Sequence, residues 1–183
     1  MSVEIRDEVH AASFDADVRG DVWTWGSRTW ERDAAGSASG GIEKLDGGAM
    51  SAATEPFEIA IRDAKALAGL WAGLNAGRAD ADGNPPPEPD SWKSVDFSRE
   101  TVLAVGLGSR PTSGFSVEIL EVRPRGDGAE ALWREVRPAR DCINLQVITN
   151  PWVAVRVPRI EGDVSFRGTV VERPCGDAAE PAR

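Results

Sequence analysis

The chain has 183 residues, a formal net charge of -9, two cysteines, a single histidine and 41% hydrophobic residues. That length allows one domain with extensions and a core large enough to need no metal. The acidic balance excludes the clustered basic face that phosphate-backbone binding requires. The absence of any apolar run of about 18 residues excludes a membrane-spanning helix.

The N-terminal residues 1–35 are acidic and have no signal-peptide apolar stretch. This predicts a cytoplasmic protein if the sequence is complete, and a cell-envelope or secreted one if a leader has been removed. Trp23, Trp25 and Trp30 form an aromatic cluster, with Trp23 and Trp25 spaced as on a strand. They are expected to pack against other residues; a sugar-stacking platform, making this a carbohydrate-binding module, is the alternative. Residues 34–55 are small, polar and glycine-rich, so residues 1–55 read as an arm and flexible linker. Residues 56–173 then form the folded domain.

Phe57–Ile61 is expected to be a short strand. Asp63 is a suitable N-cap for a helix over Ala64–Asn75, with Leu67, Leu70, Trp71 and Leu74 on one face and Gly77 ending it. Gly69 and Gly73 each weaken that helix by about 1 kcal/mol relative to alanine, so close approach to a sheet is expected to support it. Residues 78–94 read as a loop with a stiff triple proline, Pro85–Pro87. Asp80–Asn84 has calcium-loop residues but lacks a closing glutamate at the required spacing, so no metal is expected.

Val102–Leu107 is continuously apolar, which marks a strand covered on both faces. The turn cluster Gly108–Gly114 follows. Phe115, Val117 and Ile119 then alternate, and the apolar set moves to Leu120 and Val122. A period of two makes that shift only with a bulge or with burial on both faces. Asp127-Gly128 signals a hairpin into a strand at Ala131–Val136. Ile143, Leu145 and Val147 alternate, as do Val153, Val155 and Val157, and a last strand carries Val164, Phe166 and Val170 with Gly168 as a bulge. The tail 174–183 is expected to be disordered. The fold expectation is mainly β: an antiparallel β-sandwich or open barrel of about seven strands with one packed α-helix.

Catalytic chemistry lacks an inventory. His10 lies in the arm, away from Cys142 and from any serine in the domain. The carboxylate pairs Asp90/Asp96 and Glu118/Glu121 have nothing to select them as acid and base. No catalytic residue and no cofactor are expected. Cys142 and Cys175 belong to no C-x-x-C pair; they could bond to each other in an oxidising compartment or stay free. Arg123, Arg125, Arg134, Arg137 and Arg140 are interleaved with Asp127, Glu130, Glu135 and Asp141, as on a solvated face. The candidate surface is the loop Arg110, Pro111, Thr112, Ser113, Gly114 and Phe115. Pro111 fixes one backbone angle and Gly114 accepts a positive φ, so the loop costs little entropy to present. Asn150, Pro151 and Trp152 are placed to join it, with Arg110 and Trp152 as anchors of the kind protein interfaces favour.

The run Gly108–Ile119 resembles the core motif of the PrcB-like C-terminal domain family, the protease-complex-associated polypeptide. Val95–Glu100 before it and Thr149–Pro158 after it are similar to that family's flanking blocks, and the likeness extends over about Phe57–Arg173. The resemblance implies a non-catalytic, protein-binding domain that stabilises or assembles a protease complex. Arg110–Phe115 and Asn150–Trp152 are also similar to two wedge loops of the chagasin-like cysteine-protease inhibitors, which makes inhibition the alternative. That family's glycine-rich middle loop has no convincing counterpart here.

Overall fold

The computed structural model describes residues 41–78 and 86–175, together with the backbone of 22–25 and 28–31. His10, Asp80–Asn84, Pro85 and residues 176–183 lie outside the described residues. So do the side chains of Trp23, Trp25 and Trp30 on which the sugar-platform reading depends. In chain order the elements are β1 (Val22–Trp25), β2 (Arg28–Glu31), β3 (Glu43–Gly48), β4 (Phe57–Ile61), α1 (Ala64–Leu74), α2 (Asp90–Lys93), β5 (Glu100–Gly106), β6 (Ser116–Arg125), β7 (Gly128–Pro138), β8 (Trp152–Pro158) and β9 (Val164–Arg173). β1 and β2 pair antiparallel, with Trp23 opposite Trp30.

Strands β3–β9 form two sheets, ordered β3-β8-β5-β4 and β6-β7-β9. They make a sandwich and do not close into a barrel. β5 and β8 lie in the middle of the first sheet, and their sequences state why. Leu103, Val105 and Leu107 of the β5 region, with Val153, Val155 and Val157 of β8, point into the core between the sheets. Val102, Ala104, Trp152 and Ala154 point the other way, toward Leu67 and Leu74 of α1 and Trp92 of α2. A strand with apolar neighbours on both sides has no polar face to alternate. Each fully buried aliphatic side chain here is worth about 1.5–3 kcal/mol. Of the two ways to accommodate the parity change in β6, the structure uses a bulge: its register with β7 shifts between Ile119 and Glu121. Asp63 caps α1, its carboxylate accepting the Ala66 N–H at 2.8 Å.

Several expectations are corrected. The linker over residues 34–55 contains β3, an edge strand hydrogen-bonded to β8. It has a single apolar side chain facing in, Leu45, which is too little periodicity to read. The folded unit therefore starts by residue 42, where Ile42 packs on the inter-sheet core, and not at 56. Residues 78–94 contain α2, whose Trp92 is buried and meets Trp71 and Trp152 edge-on at centroid distances of 5.0 and 6.1 Å. Gly69 and Gly73 face open space, so α1 is held by its leucine stripe and not by close approach at the glycines.

β9 carries no bulge. It runs parallel to β7 in unbroken register, so the second sheet is mixed. Gly168 is required because the Trp133 indole lies where its Cβ would be. Ile143, Leu145 and Val147 do not form a strand. Pro174 and Cys175, expected to belong to the tail, are within the described fold: Cys175 is disulfide-bonded to Cys142 with a Cα–Cα distance of 5.2 Å.

Candidate functional site

The turn after β5 leaves the sheet at Gly108, which has φ +70° and lies where a Cβ would come 2.7 Å from the Thr54 carbonyl oxygen. From there the loop 109–115 runs beside the segment 144–150. The Arg110 and Thr149 main chains exchange both hydrogen bonds, at 2.7 and 2.9 Å. The Thr149 hydroxyl donates to the Thr112 carbonyl at 3.0 Å. The Ser113 N–H donates to the Leu145 carbonyl, and the Leu145 N–H donates back to the Ser113 hydroxyl, both at 3.0 Å. Asn150 secures the far end, donating from its main chain to Ala49 and from its side chain to Ser51. These cross-links hold 143–148 outside both sheets by tying Leu145 and the adjoining Thr149 to the loop.

Pro111 and Gly114 are exposed, Thr112 and Ser113 half-buried, and Phe115 half-buried. Three of the expected docking residues are placed otherwise. Arg110 turns inward: its Nε and Nη2 donate to the two carboxylate oxygens of Glu135 at 3.1 and 3.0 Å, and Nη1 donates to the Leu107 carbonyl at 2.7 Å. Pro151 is buried, and Trp152 is only 7% exposed in the indole cluster with Trp92. An arginine held by a buried carboxylate and a tryptophan inside the core are structural anchors, not surface ones. The second wedge of an inhibitor thus has no apolar surface to insert. Gly114 has φ +93°, and a Cβ there would come 2.8 Å from Asn144 Oδ1 and 3.2 Å from Pro138, so branched substitutions strain the turn.

Four aliphatic side chains stand beside this loop and were not expected to be part of its surface. Ile143 is fully exposed, Leu145 is 73% exposed, and Val147 and Ile148 are also exposed. The alternation of Ile143, Leu145 and Val147 does not by itself reveal that they lie outside both sheets. The available signal was the length of the uncharged run from Cys142 to Val155, which exceeds what one β8-length strand uses. The Cys142–Cys175 disulfide ties the start of this segment to the end of β9, beside a cleft of about 500 Å³ whose lining includes Gly114, Pro138, Ile143 and Arg173. Asp141 also gathers with the two cysteines, but bonded sulfurs are not available as thiolate ligands.

The arginines around the β6–β7 hairpin are largely exposed to solvent, and two buried glutamates hold several of them from beneath. Glu130 accepts from Arg123 and Arg125, with Arg167 at 3.4 Å. The Arg123 hydrogen bond is the chief cause holding the Glu130 carboxyl below the usual range. Burial pushes Glu135 upward, but the hydrogen bonds from Arg110 and Arg137 outweigh it and leave that carboxyl lowered. Three of the four carboxylates considered as acid–base pairs are engaged elsewhere. Asp90 holds Lys93, Glu118 holds Arg134, and Asp96 is lowered chiefly by the Ser98 hydroxyl.

No described helix is long and apolar enough to cross a membrane. No curated protein and no solved structure matches the chain. The family match is narrower than the stretch Phe57–Arg173: residues 101–158, which span β5, the braced loop, the exposed aliphatic segment and β8, match the model of the family described as PrcB C-terminal.

Proposed function

We propose that this chain is a non-catalytic protein-binding subunit that stabilises or assembles a protease complex. It docks through Pro111–Phe115 together with Ile143–Ile148. The observation that carries this reading is the aliphatic segment itself. Four exposed aliphatic side chains within six residues cost solubility unless a partner covers them, and here hydrogen bonds from Leu145 and the adjoining Thr149 to the loop hold them in place. The match to the PrcB C-terminal model, with what the sequence resemblance implies, supports a protease complex as the partner.

The test is affinity capture from an extract of the native cells, with proteolytic activity assayed in the eluate. The unmodified chain retains an active protease. A Leu145→Arg/Ile148→Arg variant loses it while its melting temperature stays within about 2 °C, since exposed positions contribute little stability. An eluate without proteolytic activity refutes the reading. A captured protease that the chain silences replaces it with inhibition.

A further inference from the structure

The exposed segment presents main chain as well as side chains. Among the described residues, the N–H groups within 143–148 that find partners are those of Leu145 and Val147, to the Ser113 hydroxyl and to the Leu145 carbonyl. The amides of Ile143, Asn144, Gln146 and Ile148 have no hydrogen-bond partner among the described residues, nor do the carbonyls of Asn144, Gln146, Val147 and Ile148. Leu145 and Thr149, two odd positions, turn their main-chain groups toward the loop 110–113. Between and beside these bonded positions the main-chain groups of Asn144, Gln146 and Ile148 stay unpaired among the described residues, which leaves an open edge. A turn at Gln146, closed by the Val147 N–H on the Leu145 carbonyl at 2.9 Å, kinks this edge once.

The sequence INLQVIT over 143–149 is uncharged, contains no proline or glycine and is rich in aliphatics. That is the composition of a segment that pairs with added strands, and natural edges are normally guarded by a charge or a proline. Here neither guard is present between Cys142 and Asn150. The charges stand at one end. Arg173 lines the cleft beside Ile143, and neither it nor Arg140 has a carboxylate within ion-pairing distance among the described residues, while Asp141 is the single acid there.

We propose that the partner supplies an extended, apolar, strand-forming segment that adds antiparallel along Asn144–Ile148 by main-chain hydrogen bonds. Its C-terminal end carries a carboxylate that meets Arg173. Charge complementarity selects this occupant over a second copy of the chain, because an antiparallel copy of 143–149 brings no carboxylate to that end. Main-chain bonds supply affinity in such additions, and alternate side chains supply specificity. The inference rests on the docking surface proposed above.

The probe is the synthetic peptide acetyl-Thr-Val-Thr-Val-Thr-Val-Glu, titrated into the full chain with amide hydrogen exchange followed by NMR. Saturable binding is expected, with protection gained at Asn144, Gln146 and Ile148. The same peptide N-methylated at alternate residues should bind at least tenfold more weakly, and Arg173→Glu should weaken binding several-fold. Equal binding of the N-methylated peptide, or no binding of either, overturns strand addition. Concentration-dependent protection of the same amides in the free chain overturns the choice of occupant in favour of a second copy. Loss of protease capture in Leu145→Arg/Ile148→Arg without peptide-induced protection would leave the docking surface standing and remove strand addition. Protection by the peptide without any captured protease would leave strand addition standing and remove the protease-complex reading.

Discussion

Replacing Arg110 with methionine tests whether the loop is held by the buried carboxylate beneath it. Glu135 is 3% exposed and sits on the inner face of β7. Arg110 gives it two charge-assisted hydrogen bonds, and Arg137 gives it a 2.8 Å bond from a half-exposed side chain. Removing one partner of a buried pair typically costs about 3–5 kcal/mol, because the remaining charge is left desolvated. Arg137 remains, so the expected loss is about 2–3 kcal/mol, or roughly 4–12 °C in melting temperature for a chain of this size. Urea denaturation measures it, and the double variant Arg110→Met/Glu135→Leu should recover most of the loss. The pH dependence supplies a second reading. In the natural chain the folded Glu135 carboxyl is lowered, so its stabilisation is present above the unfolded value near 4.3 and disappears as pH falls through the lower folded value. In Arg110→Met burial is opposed by one arginine instead of two, so the folded value rises and acidification costs the variant less. The stability gap should therefore be narrower at pH 4 than at pH 7. A variant within about 0.5 kcal/mol of the natural chain at pH 7, or a gap that ignores pH, refutes the reasoning.

Trp92→Ala should cost about 3–5 kcal/mol by urea denaturation, the usual loss for a buried aromatic, since Trp92 lies between Trp71 and Trp152. Gly168→Val should cost at least about 1–3 kcal/mol. It displaces the Trp133 indole, whose Nε1–H donates to Glu58 at 2.6 Å across the sandwich, and a shift in tryptophan emission reports that displacement. Reduction by dithiothreitol, or Cys175→Ser, should lower stability by about 2–4 kcal/mol, because the bond closes a loop of 33 residues; an unchanged melting temperature would show that the tail is held without it.

The layered core was legible in the sequence because burial on two faces leaves a direct mark. Val102–Leu107 could only be a central strand, and the parity change at Leu120 could be absorbed by the bulge found between Ile119 and Glu121. What was not legible depends on tertiary partners that leave no periodicity. β3 has one inward leucine and is a strand because β8 offers it an edge. The parallel pairing of β9 with β7 is fixed by the path of the chain from β8, which local pattern does not encode. Gly168 looked like a bulge, and only the position of Trp133 reveals it as a packing site.

The candidate site was half legible for a related reason. Arg110 and Trp152 have the residue types of interface anchors, but residue type does not say which way a side chain faces. Glu135 turns Arg110 inward, and Trp92, in a helix the sequence concealed, receives Trp152. The backbone that these two residues immobilise is the backbone that braces 143–148. A loop anchored by a buried ion pair at Arg110 and by the Asn150–Ser51 bonds at its other end can hold aliphatic side chains in water without their collapsing onto the core. The inward-facing residues thus act on docking through the shape they impose. Arg110→Met should therefore weaken partner capture together with stability, whereas Leu145→Arg should weaken capture alone.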